Sequence, residues 1–572
     1  MSKKLRFIMF CTIALSTLLI SAVNAQWPTD SYENMVICNH SGEQAIPLVA
    51  PTSDGGCYIC WYDNASGNYD MYLQRLDANG IIQFAENGLL ISDNAQDSWL
   101  TTYDMTVDQN DNAIIVFNDV RSGGDWDIYA YRISPTGEFL WGDDGIAVSD
   151  NDIAEYIPTV TVTTGNNVVI AWLEETVVKV RKFYPNGTDF WGTEKELTGD
   201  YTVTYPHLAP AEDDAVIVQV AKATGSMYYS SRDIYMYKYT SDGTSLWAED
   251  GVLVCDAGGF SYAKIPYVKY DGNGGAYSFW YDARVSNELH SYAQHMNSSG
   301  AAVWEENGIL LSSADKFQMT PDATVIDNDN VMFFFITCNS SQSNFGVDGQ
   351  MVDASTGELL WHNEGIELLP LSDATRASVI ANSVENDAIV TCFDYAEGSQ
   401  TSIYIDAIRI NAEGGFVWAD SVIQVCSNGS DKTHLESNVT TNGQVVSVWE
   451  DARNGDADIY MQNINPDGTF GPYSTGIDDN NELIPAAFDI VSAYPNPFNA
   501  QTIINYNLSS AGSVTLDIYD LLGRKVQTLA EGYQAAGNHQ VTWNAESVSS
   551  GVYFAKLSAN DQTQSQKLVL LK

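Results

Sequence analysis

A glycine followed four residues later by an aromatic residue recurs through most of the chain. Successive glycines are 50 to 57 residues apart, and an eighth glycine, Gly468, follows 54 residues after the last pair without an aromatic partner. A period of this length indicates one repeated supersecondary unit, and eight units span residues 35–477. The seven pairs are Gly80/Phe84, Gly137/Trp141, Gly187/Trp191, Gly243/Trp247, Gly300/Trp304, Gly357/Trp361 and Gly414/Trp418.

Each unit contains four short segments with the composition of β-strands. In the second unit these are residues 89–92, 103–107, 113–118 and 127–132, separated by turn-rich sequence. Four strands per unit, repeated around an axis, are typical of a β-propeller. We therefore predict an all-β fold with an eight-bladed propeller. Seven blades with an accessory sheet is the alternative, because the third unit is short and the sixth lacks the usual motif residues.

The first strand segment of the repeat region stands apart from its own unit. Residues 35–38 align with the outermost strand of the second unit, whereas the eighth unit supplies only three strands, at residues 435–440, 445–450 and 458–463. We therefore predict that residues 35–38 complete the last blade and close the ring.

A second motif places an acid two residues after an aromatic, often with an arginine two residues further on. One interpretation is a ring of carboxylates and arginines that faces a ligand or calcium. The favoured interpretation is scaffold: acids that cap turns and Asp–Arg pairs that fix each hairpin. The motif residues are Trp61/Asp63, Phe117/Asp119/Arg121, Trp280/Asp282/Arg284 and Trp449/Asp451/Arg453.

Charge excludes several classes of partner. The 572 residues include 74 acidic and only 26 basic side chains, which gives a formal net charge of -48. Such a surface repels phosphate backbones and anionic lipid headgroups, so nucleic-acid binding and attachment to membranes through a basic patch are disfavoured. Neutral sugars, cationic groups and calcium-bridged partners fit this field.

The N-terminus has the features of a secretory signal peptide. Lys3, Lys4 and Arg6 precede an apolar stretch at residues 7–21, and small residues allow cleavage after Ala25. We predict that residues 1–25 are removed and that no transmembrane segment remains.

Cysteine and histidine patterns predict neither a disulfide framework nor a catalytic or metal site. Seven sparse cysteines remain after Ala25, and the alignment of the repeats places Cys60 with Cys392, and Cys38 with Cys255 and Cys426. Shared repeat positions favour small core residues over functional thiols. The seven histidines form no catalytic motif. We expect no cofactor; calcium at the turn acids is the alternative.

Variable loops on one face of the propeller are the predicted ligand surface. These loops join the second strand to the third and the fourth to the next blade. Exposed loop aromatics suit stacking on sugar rings or anchoring of a protein partner, and the equal alternative is that they fold down onto the blades. The candidate residues are Trp99, Tyr228, Tyr229, Phe260, Tyr262 and Phe345.

Composition changes after Pro485, where the repeat stops and the net charge falls to -1 over residues 486–572. Alternating strands and Gly and Asn turns predict a seven-stranded Ig-like β-sandwich here. The segment also carries an ordered set of motifs: YPNPFN at 494–499, VTLDIYDLLGRKV at 514–526, SGVYF at 550–554 and KLVLLK at 567–572. Its motif residues are Tyr494, Pro495, Asn496, Pro497, Phe498, Asn499, Gly523, Gly551, Tyr553, Lys567 and Lys572.

These motifs resemble the C-terminal sorting domain of type IX (Por) secretion in the Bacteroidetes and related phyla. The resemblance implies recognition by the type IX machinery, export across the outer membrane, and a secreted or surface location. We thus predict a signal peptide (1–25), a propeller (26–485) and a sorting domain (486–572) in a secreted or surface protein whose propeller face binds a glycan or a protein. The alternatives are a secreted hydrolase of polysaccharide and a structural surface-layer component.

Overall fold

The computed structural model describes residues 26–572 apart from 95–101, 122–124, 228, 261–263, 287, 328, 473–488, 495, 497, 509–511, 535–536, 546–547 and 560–561. The chain divides between Tyr473 and Ser474 into two compact units. Residues 1–25 and the predicted boundary at 485/486 lie outside the described residues, so the signal peptide and that boundary stay predictions.

The first unit begins with the four-residue strand β1 (Met35–Cys38), and the first four blades follow it in chain order. Blade 1 contains β2 (Gln44–Pro51), β3 (Cys57–Asp63), β4 (Asp70–Leu76) and β5 (Leu89–Ser92). Blade 2 contains β6 (Asp104–Val107), β7 (Ala113–Asp119), β8 (Asp127–Ile133) and β9 (Ile146–Ser149). Blade 3 contains β10 (Glu155–Val162), β11 (Val168–Glu174), β12 (Val177–Phe183) and β13 (Lys195–Leu197). Blade 4 contains β14 (Val203–Pro210), a single 3-10 turn (Glu212–Asp214), β15 (Val216–Ala223), β16 (Arg232–Tyr239) and β17 (Val252–Cys255).

The other four blades repeat the same order. Blade 5 contains β18 (Tyr267–Tyr270), β19 (Ala276–Val285), β20 (Glu288–Met296) and β21 (Ile309–Leu310). Blade 6 contains β22 (Phe317–Val325), β23 (Asn330–Cys338), β24 (Phe345–Asp353) and β25 (Ile366–Ser372). Blade 7 contains β26 (Arg376–Val384), β27 (Asp387–Tyr395), β28 (Ile403–Ile410) and β29 (Ile423–Ser430). Blade 8 contains β30 (Lys432–Val439), β31 (Val445–Asp451) and β32 (Asp458–Ile464), with β1 as its fourth strand.

The ring closes as predicted, through the first strand of the chain. β1 pairs antiparallel with β32, with Met35 opposite Met461 and Cys38 opposite Ile459. The described residues therefore form eight four-stranded antiparallel blades, and the prediction of an eight-bladed propeller is confirmed. The seven-blade alternative is wrong because the short third unit still forms all four of its strands.

The second strand of each blade forms the core. β3, β7 and β31 are buried along their whole length, because both faces of a blade pack against its neighbours. The seven cysteines of the described residues are free and buried, and they fill this packing. One predicted alignment is wrong: Leu48 pairs with Cys60 whereas Ile380 pairs with Thr391, so Cys392 lies one residue beyond the position of Cys60.

One tryptophan contact joins neighbouring blades around the ring. The indole Nε1 of Trp304 in blade 5 donates to the carbonyl of Ala354 in blade 6, at 3.1 Å. The ring packs on Gly357, where a Cβ would lie 2.8 Å from it. Six other indoles donate in the same way: Trp27 to Ala78, Trp141 to Pro185, Trp191 to Ser241, Trp247 to Ser298, Trp361 to Ala412 and Trp418 to Pro466.

Trp27 supplies the aromatic residue that the eighth repeat lacks. It precedes β1, the outer strand of blade 8, and its ring packs on Gly80 of blade 1. Phe84 takes the tryptophan position between blades 1 and 2, where it contacts the position of Gly137. We call the interface between two neighbouring blades a seam. The glycine–aromatic contact thus recurs at all eight seams that the described residues form.

The second unit contains two facing sheets. One has the order β33 (Asp489–Tyr494), β34 (Gln501–Leu508), β37 (Gly537–Asn544). The other has the order β36 (Lys525–Gln534), β35 (Gly512–Asp520), β38 (Gly551–Ala559), β39 (Gln562–Leu570). Ile504 and Trp543 of the first sheet share a core with Leu516 and Leu557 of the second, which makes a seven-stranded sandwich. The finer Ig-like assignment stays a prediction. Among the described residues, no helix has the length and apolarity to span a membrane.

We expect Gly80→Ala to lower the free energy of unfolding by about 2–4 kcal/mol. Gly80 has φ +78, and an added Cβ would lie 2.7 Å from the ring of Trp27, so backbone strain and overpacking add. The matched control is Gly67→Ala, at φ +87 with nothing within 4 Å, which should cost about 1 kcal/mol. Urea unfolding followed by tryptophan fluorescence measures both; equal losses would contradict the role of the Trp27 contact.

Candidate functional site

The aromatic–Asp–Arg motif forms one closed arrangement in blades 2, 5 and 8. In blade 2, Arg121 donates to both carboxylate oxygens of Asp119 through Nε, at 3.0 and 2.8 Å. Its guanidinium lies 3.7 Å from the ring centroid of Tyr129 on the next strand. The equivalent distances are 3.8 Å for Arg284 over Tyr292 and 4.0 Å for Arg453 over Tyr460. Each of these arginines donates to the aspartate of its own motif, which agrees with the scaffold interpretation.

Blade 4 departs from this arrangement at all three positions. Strand pairing places Val220 opposite Tyr235, as Phe117 is opposite Tyr129 in blade 2. By the same register, Lys222 stands at the aspartate position and Thr224 at the arginine position. Thr224 is too short to reach the ring of Tyr235 as the arginine does in blade 2, and Lys222 Nζ lies 4.3 Å from the centroid of this ring instead.

A groove of about 570 Å³ lies at this point. We call it the blade 4 groove, and it is lined by Thr198, Gly199, Asp200, Tyr201, Lys222, Ala223, Thr224, Asp233, Tyr235 and Asp250. Tyr201, in the connection from blade 3, is 43% exposed, and Tyr235 is half-buried. The groove therefore combines two aromatic rings with hydrogen-bonding groups.

The blade 4 groove presents more charged hydrogen-bond acceptors than charged donors. Lys222 Nζ donates to the carbonyl of Asp250 at 2.9 Å and lies 4.3 Å from the ring centroid of Tyr235. Burial lowers the pKa of Lys222. Burial and the charge of Asp256 raise the pKa of Asp233. Three carboxylates and one amine can thus meet a ligand that carries several hydroxyl groups.

The predicted ligand-face aromatics fall into different environments. Tyr229 is 66% exposed, in the loop that extends β15 beyond the groove residue Thr224. Phe260 is 1% exposed and packs in a core shared by blades 4 and 5, which favours the alternative interpretation for this residue. Phe345 is half-buried against the core of blades 6 and 7. Trp99, Tyr228 and Tyr262 lie outside the described residues.

Sequence reasoning missed Tyr201 and Tyr235. The signal that could have found them is the repeat itself, because the blade 4 sequence has Val220 and Lys222 at positions that are aromatic and acidic in blades 1, 2, 3, 5 and 8.

The second candidate site is the axial channel. One position of each innermost strand lines the axis, and two cavities of about 300 and 360 Å³ lie along it and share Tyr267. The residues at this position are Leu48, Asp104, Thr159, His207, Tyr267, Asp322, Ile380 and Glu436.

Two of the three channel carboxylates tie neighbouring blades together. Asp104 accepts from Thr159 Oγ1 and the Val160 amide, both at 2.8 Å, although burial still raises its pKa. Asp322 accepts from the Ala381 amide at 2.8 Å.

Glu436 is the residue, among the described residues of the channel, whose pKa lies close to neutral pH. The Glu436 side chain reaches the surface of the channel but is surrounded by protein on all sides of it. This partial loss of water, together with the negative charges of Asp322 and Asp104, raises the pKa of Glu436 to about 7. Burial lowers the pKa of His207 to about 4, so this imidazole is neutral at pH 7. His207 lies 5.1 Å from the ring of Tyr267, between centroids.

The turn acids suggested for calcium serve their own hairpins. Asp108 accepts from the amides of Asn110 and Asn112, at 2.8 and 3.0 Å. Asp271 accepts from Asn273 and Gly275 in the same way, at 2.7 and 2.8 Å. Such carboxylates are occupied by backbone donors, which makes them poor calcium ligands.

Solved structures similar to this chain include polysaccharide lyases and an arabinanase at low identity. The polysaccharide lyase Uly1 has 10% identity and a TM-score of 0.42, over 75% of this chain and 92% of that chain. A PL25 ulvan lyase has 10% identity and a TM-score of 0.42, over 70% and 97%. An α-L-arabinanase of Penicillium chrysogenum, complexed with arabinobiose, has 14% identity and a TM-score of 0.31, over 54% and 94%. No curated protein matches the chain.

Residues 492–571 match the family model described as the secretion system C-terminal sorting domain. Within it, Asn496 Nδ2 donates to the Lys567 carbonyl at 2.9 Å, and the Val569 amide donates to Asn496 Oδ1 at 2.8 Å, so the first motif is fastened to the last. Phe498 is buried in the same core as Tyr553. Lys572 donates from its backbone amide to Ser550 Oγ, beside Gly551 and Tyr553, whereas Gly523 closes the exposed turn between β35 and β36. The C-terminal unit is a type IX sorting domain, and it indicates secretion or attachment to the cell surface.

Proposed function

We propose that the propeller binds glycans outside the cell and that the blade 4 groove is the binding site. The observation that carries this proposal is the groove at one interface between blades. Thr224 stands in place of the arginine, and the groove is lined by the exposed Tyr201 and by Tyr235, whose ring centroid lies 4.3 Å from Lys222 Nζ. Blades 2, 5 and 8 fill the equivalent space with an arginine that lies over the tyrosine ring.

The chemistry of the groove matches a sugar ring. Aromatic rings offer a flat apolar face at low conformational cost, which suits the C–H face of a pyranose. Asp200, Asp233 and Asp250 can accept from sugar hydroxyls, and Lys222 can donate to them. Recognition would thus combine stacking of the sugar on the aromatic rings with several hydrogen bonds to the sugar hydroxyls.

Charge narrows the class of glycan. Three carboxylates surround one ammonium in the groove, and the chain as a whole carries -48. A polyanionic glycan would be repelled at long range and at contact. A neutral or amine-bearing glycan fits best.

Tyr201→Ala should weaken glycan binding about tenfold, the usual effect of removing one stacked aromatic ring. A glycan array on the full chain identifies the ligand, and calorimetry compares the variants. The matched control is Tyr184→Ala, because Tyr184 is also 43% exposed but lies in the turn after β12. Equal losses in both variants, or retention of no glycan by the wild-type chain, would contradict the proposal.

Deletion of residues 486–572 should retain the propeller in the periplasm, because the sorting domain is what the outer-membrane machinery recognises. Cell fractionation of the native host measures the distribution. Substitution of the exposed Leu522 in the turn before Gly523 is the control for a folded domain with an altered surface. Normal surface delivery of the truncated chain would refute this role.

Glu436 favours a second candidate function, hydrolysis of a polysaccharide. A general acid works best with a pKa near the working pH, and glycoside hydrolysis needs such a group beside a second carboxylate. Glu436 titrates at about 7, and the charges of Asp322 and Asp104 act on it. The channel would admit a chain end into the 360 Å³ cavity.

Glu436→Gln separates these candidates and tests the electrostatics. The pKa of Glu436 is about 7 in the folded protein against 4.5 for an ordinary Glu, so the folded state binds the proton more tightly. Wild-type stability should therefore fall as pH rises from about 4.5 to 7, and Glu436→Gln should remove this part of the fall. Melting temperatures across this range measure it, with the exposed Glu413→Gln as control. Glycan turnover that disappears only in Glu436→Gln would favour the hydrolase.

A further inference from the structure

Arginines bridge three of the seams between blades. Arg284 Nη2 donates to Asp282 Oδ2 of its own blade at 2.6 Å and to Cys255 Sγ on the outer strand of blade 4 at 3.2 Å. Arg453 makes the same pair of contacts, with Asp451 at 2.6 Å and Cys426 at 3.3 Å. These two seams each contain a buried Asp, a cysteine and an arginine, and Lys432 also pairs with Asp451. In the third seam, Arg121 Nη2 donates to Ser92 Oγ at 3.5 Å in place of a cysteine.

The seam between blades 8 and 1 has the Asp and the cysteine without the arginine. Ala65 stands at the arginine position, and its amide donates to Asp63 Oδ1 at 2.9 Å, as the Arg284 amide donates to Asp282 Oδ1 at 3.0 Å. The hydrogen bond of the turn is therefore kept, whereas the cationic side chain is absent. Asp63 is 1% exposed and Cys38, supplied by β1, is fully buried.

His40 occupies the place of the guanidinium. Its Nδ1 lies 3.1 Å from Asp63 Oδ2, and Cys38 Sγ lies 3.3 Å from the same oxygen. The ligand atoms of the three residues all lie within 4.8 Å of one another. Within the part of the chain that the structure describes, His40 is the one side chain that forms an ion pair with Asp63.

We propose that Cys38, His40 and Asp63 bind one zinc-class divalent ion that fastens the closing seam of the propeller. Thiolate, imidazole and carboxylate are the ligands that zinc takes in proteins. Metal–ligand bonds of about 2.0–2.3 Å at tetrahedral angles place ligand atoms roughly 3.3–3.6 Å apart, close to the two separations seen here. Binding releases the Cys38 thiol proton to solvent, and water takes the fourth position.

Surrounding charge and access both suit a cation. Asp458 of blade 8 and Asp63 lie close enough to act on Cys38, and Asp70 and Asp93 on the neighbouring Tyr72. His40 is 35% exposed at its side chain, which gives an ion a path from solvent. The ion would then supply the positive charge that arginine supplies at the other three seams.

Cobalt substitution tests the site in the full chain, stripped with EDTA and kept reduced with a phosphine. Co²⁺ should bind at about one ion per chain, with a thiolate-to-cobalt charge-transfer band and intense tetrahedral d–d bands. Cys38→Ser should remove the charge-transfer band, and His40→Gln should weaken Co²⁺ binding at least about tenfold. Zinc added afterwards should bleach the cobalt spectrum.

Two variants of matched position make the test specific. Cys426→Ser removes the equivalent cysteine beside Arg453 and should leave the cobalt spectrum intact. Ala65→Arg restores the arginine of the other seams and should abolish Co²⁺ binding while thermal unfolding of the metal-free chain stays cooperative. The proposal is overturned if wild type gives no charge-transfer band, if Cys38→Ser keeps it, or if Cys426→Ser loses it equally.

Discussion

The contact between an indole and a glycine of the next blade is the interaction on which this propeller depends. The indole lies flat where any Cβ would collide, as at Gly300 with Trp247 and Gly468 with Trp418, and its N–H satisfies a turn carbonyl. Seven of the eight seams of the described residues are thereby held by one apolar face and one directed hydrogen bond, whereas Phe84 supplies the apolar face alone between blades 1 and 2. The final contact requires Trp27, which comes from the opposite end of the propeller sequence, so the ring closes by side-chain packing as well as by the pairing of β1 with β32.

A ring built from equal seams turns any unequal seam into a candidate site. The amide hydrogen bond to the motif aspartate is the same at Asp63 as at Asp282, so a substitution at the arginine position changes what lies between two blades and keeps this turn. At blade 4 the change from an aromatic, an acid and an arginine to Val220, Lys222 and Thr224 leaves an open groove. At blade 1 the change from arginine to Ala65 leaves three metal-ligand atoms facing one another. Both sites are departures from the repeat on an unaltered scaffold.

The fold could be predicted from the sequence repeat, whereas the candidate sites could be identified only from the three-dimensional structure. Eight blades and the closing strand followed from the spacing of the glycines and from an outer strand at residues 35–38. Tyr201 could not be matched with Tyr235 from sequence, because they come from different blades and meet only across a seam. Cys38, His40 and Asp63 likewise converge only when the ring closes. Bulges in the innermost strands, such as that between Ala45 and Leu48, also shift register and hid which residues line the channel.

The small number of basic residues in the chain is common to these observations. With 26 basic residues against 74 acidic ones, the chain places many of its arginines and lysines inside, against buried acids: Arg132 on Asp108, Arg284 on Asp282, Lys432 on Asp451. A buried carboxylate without such a partner is costly, so it must gain a proton, a metal or a ligand donor. The pKa of Glu436 is raised, and Asp63 forms an ion pair with His40 beside the Cys38 thiol. The carboxylates of the blade 4 groove are open to a ligand. In the proposed functions, the negative charge of this protein therefore acts locally, at Glu436, at Asp63 and at the carboxylates of the blade 4 groove.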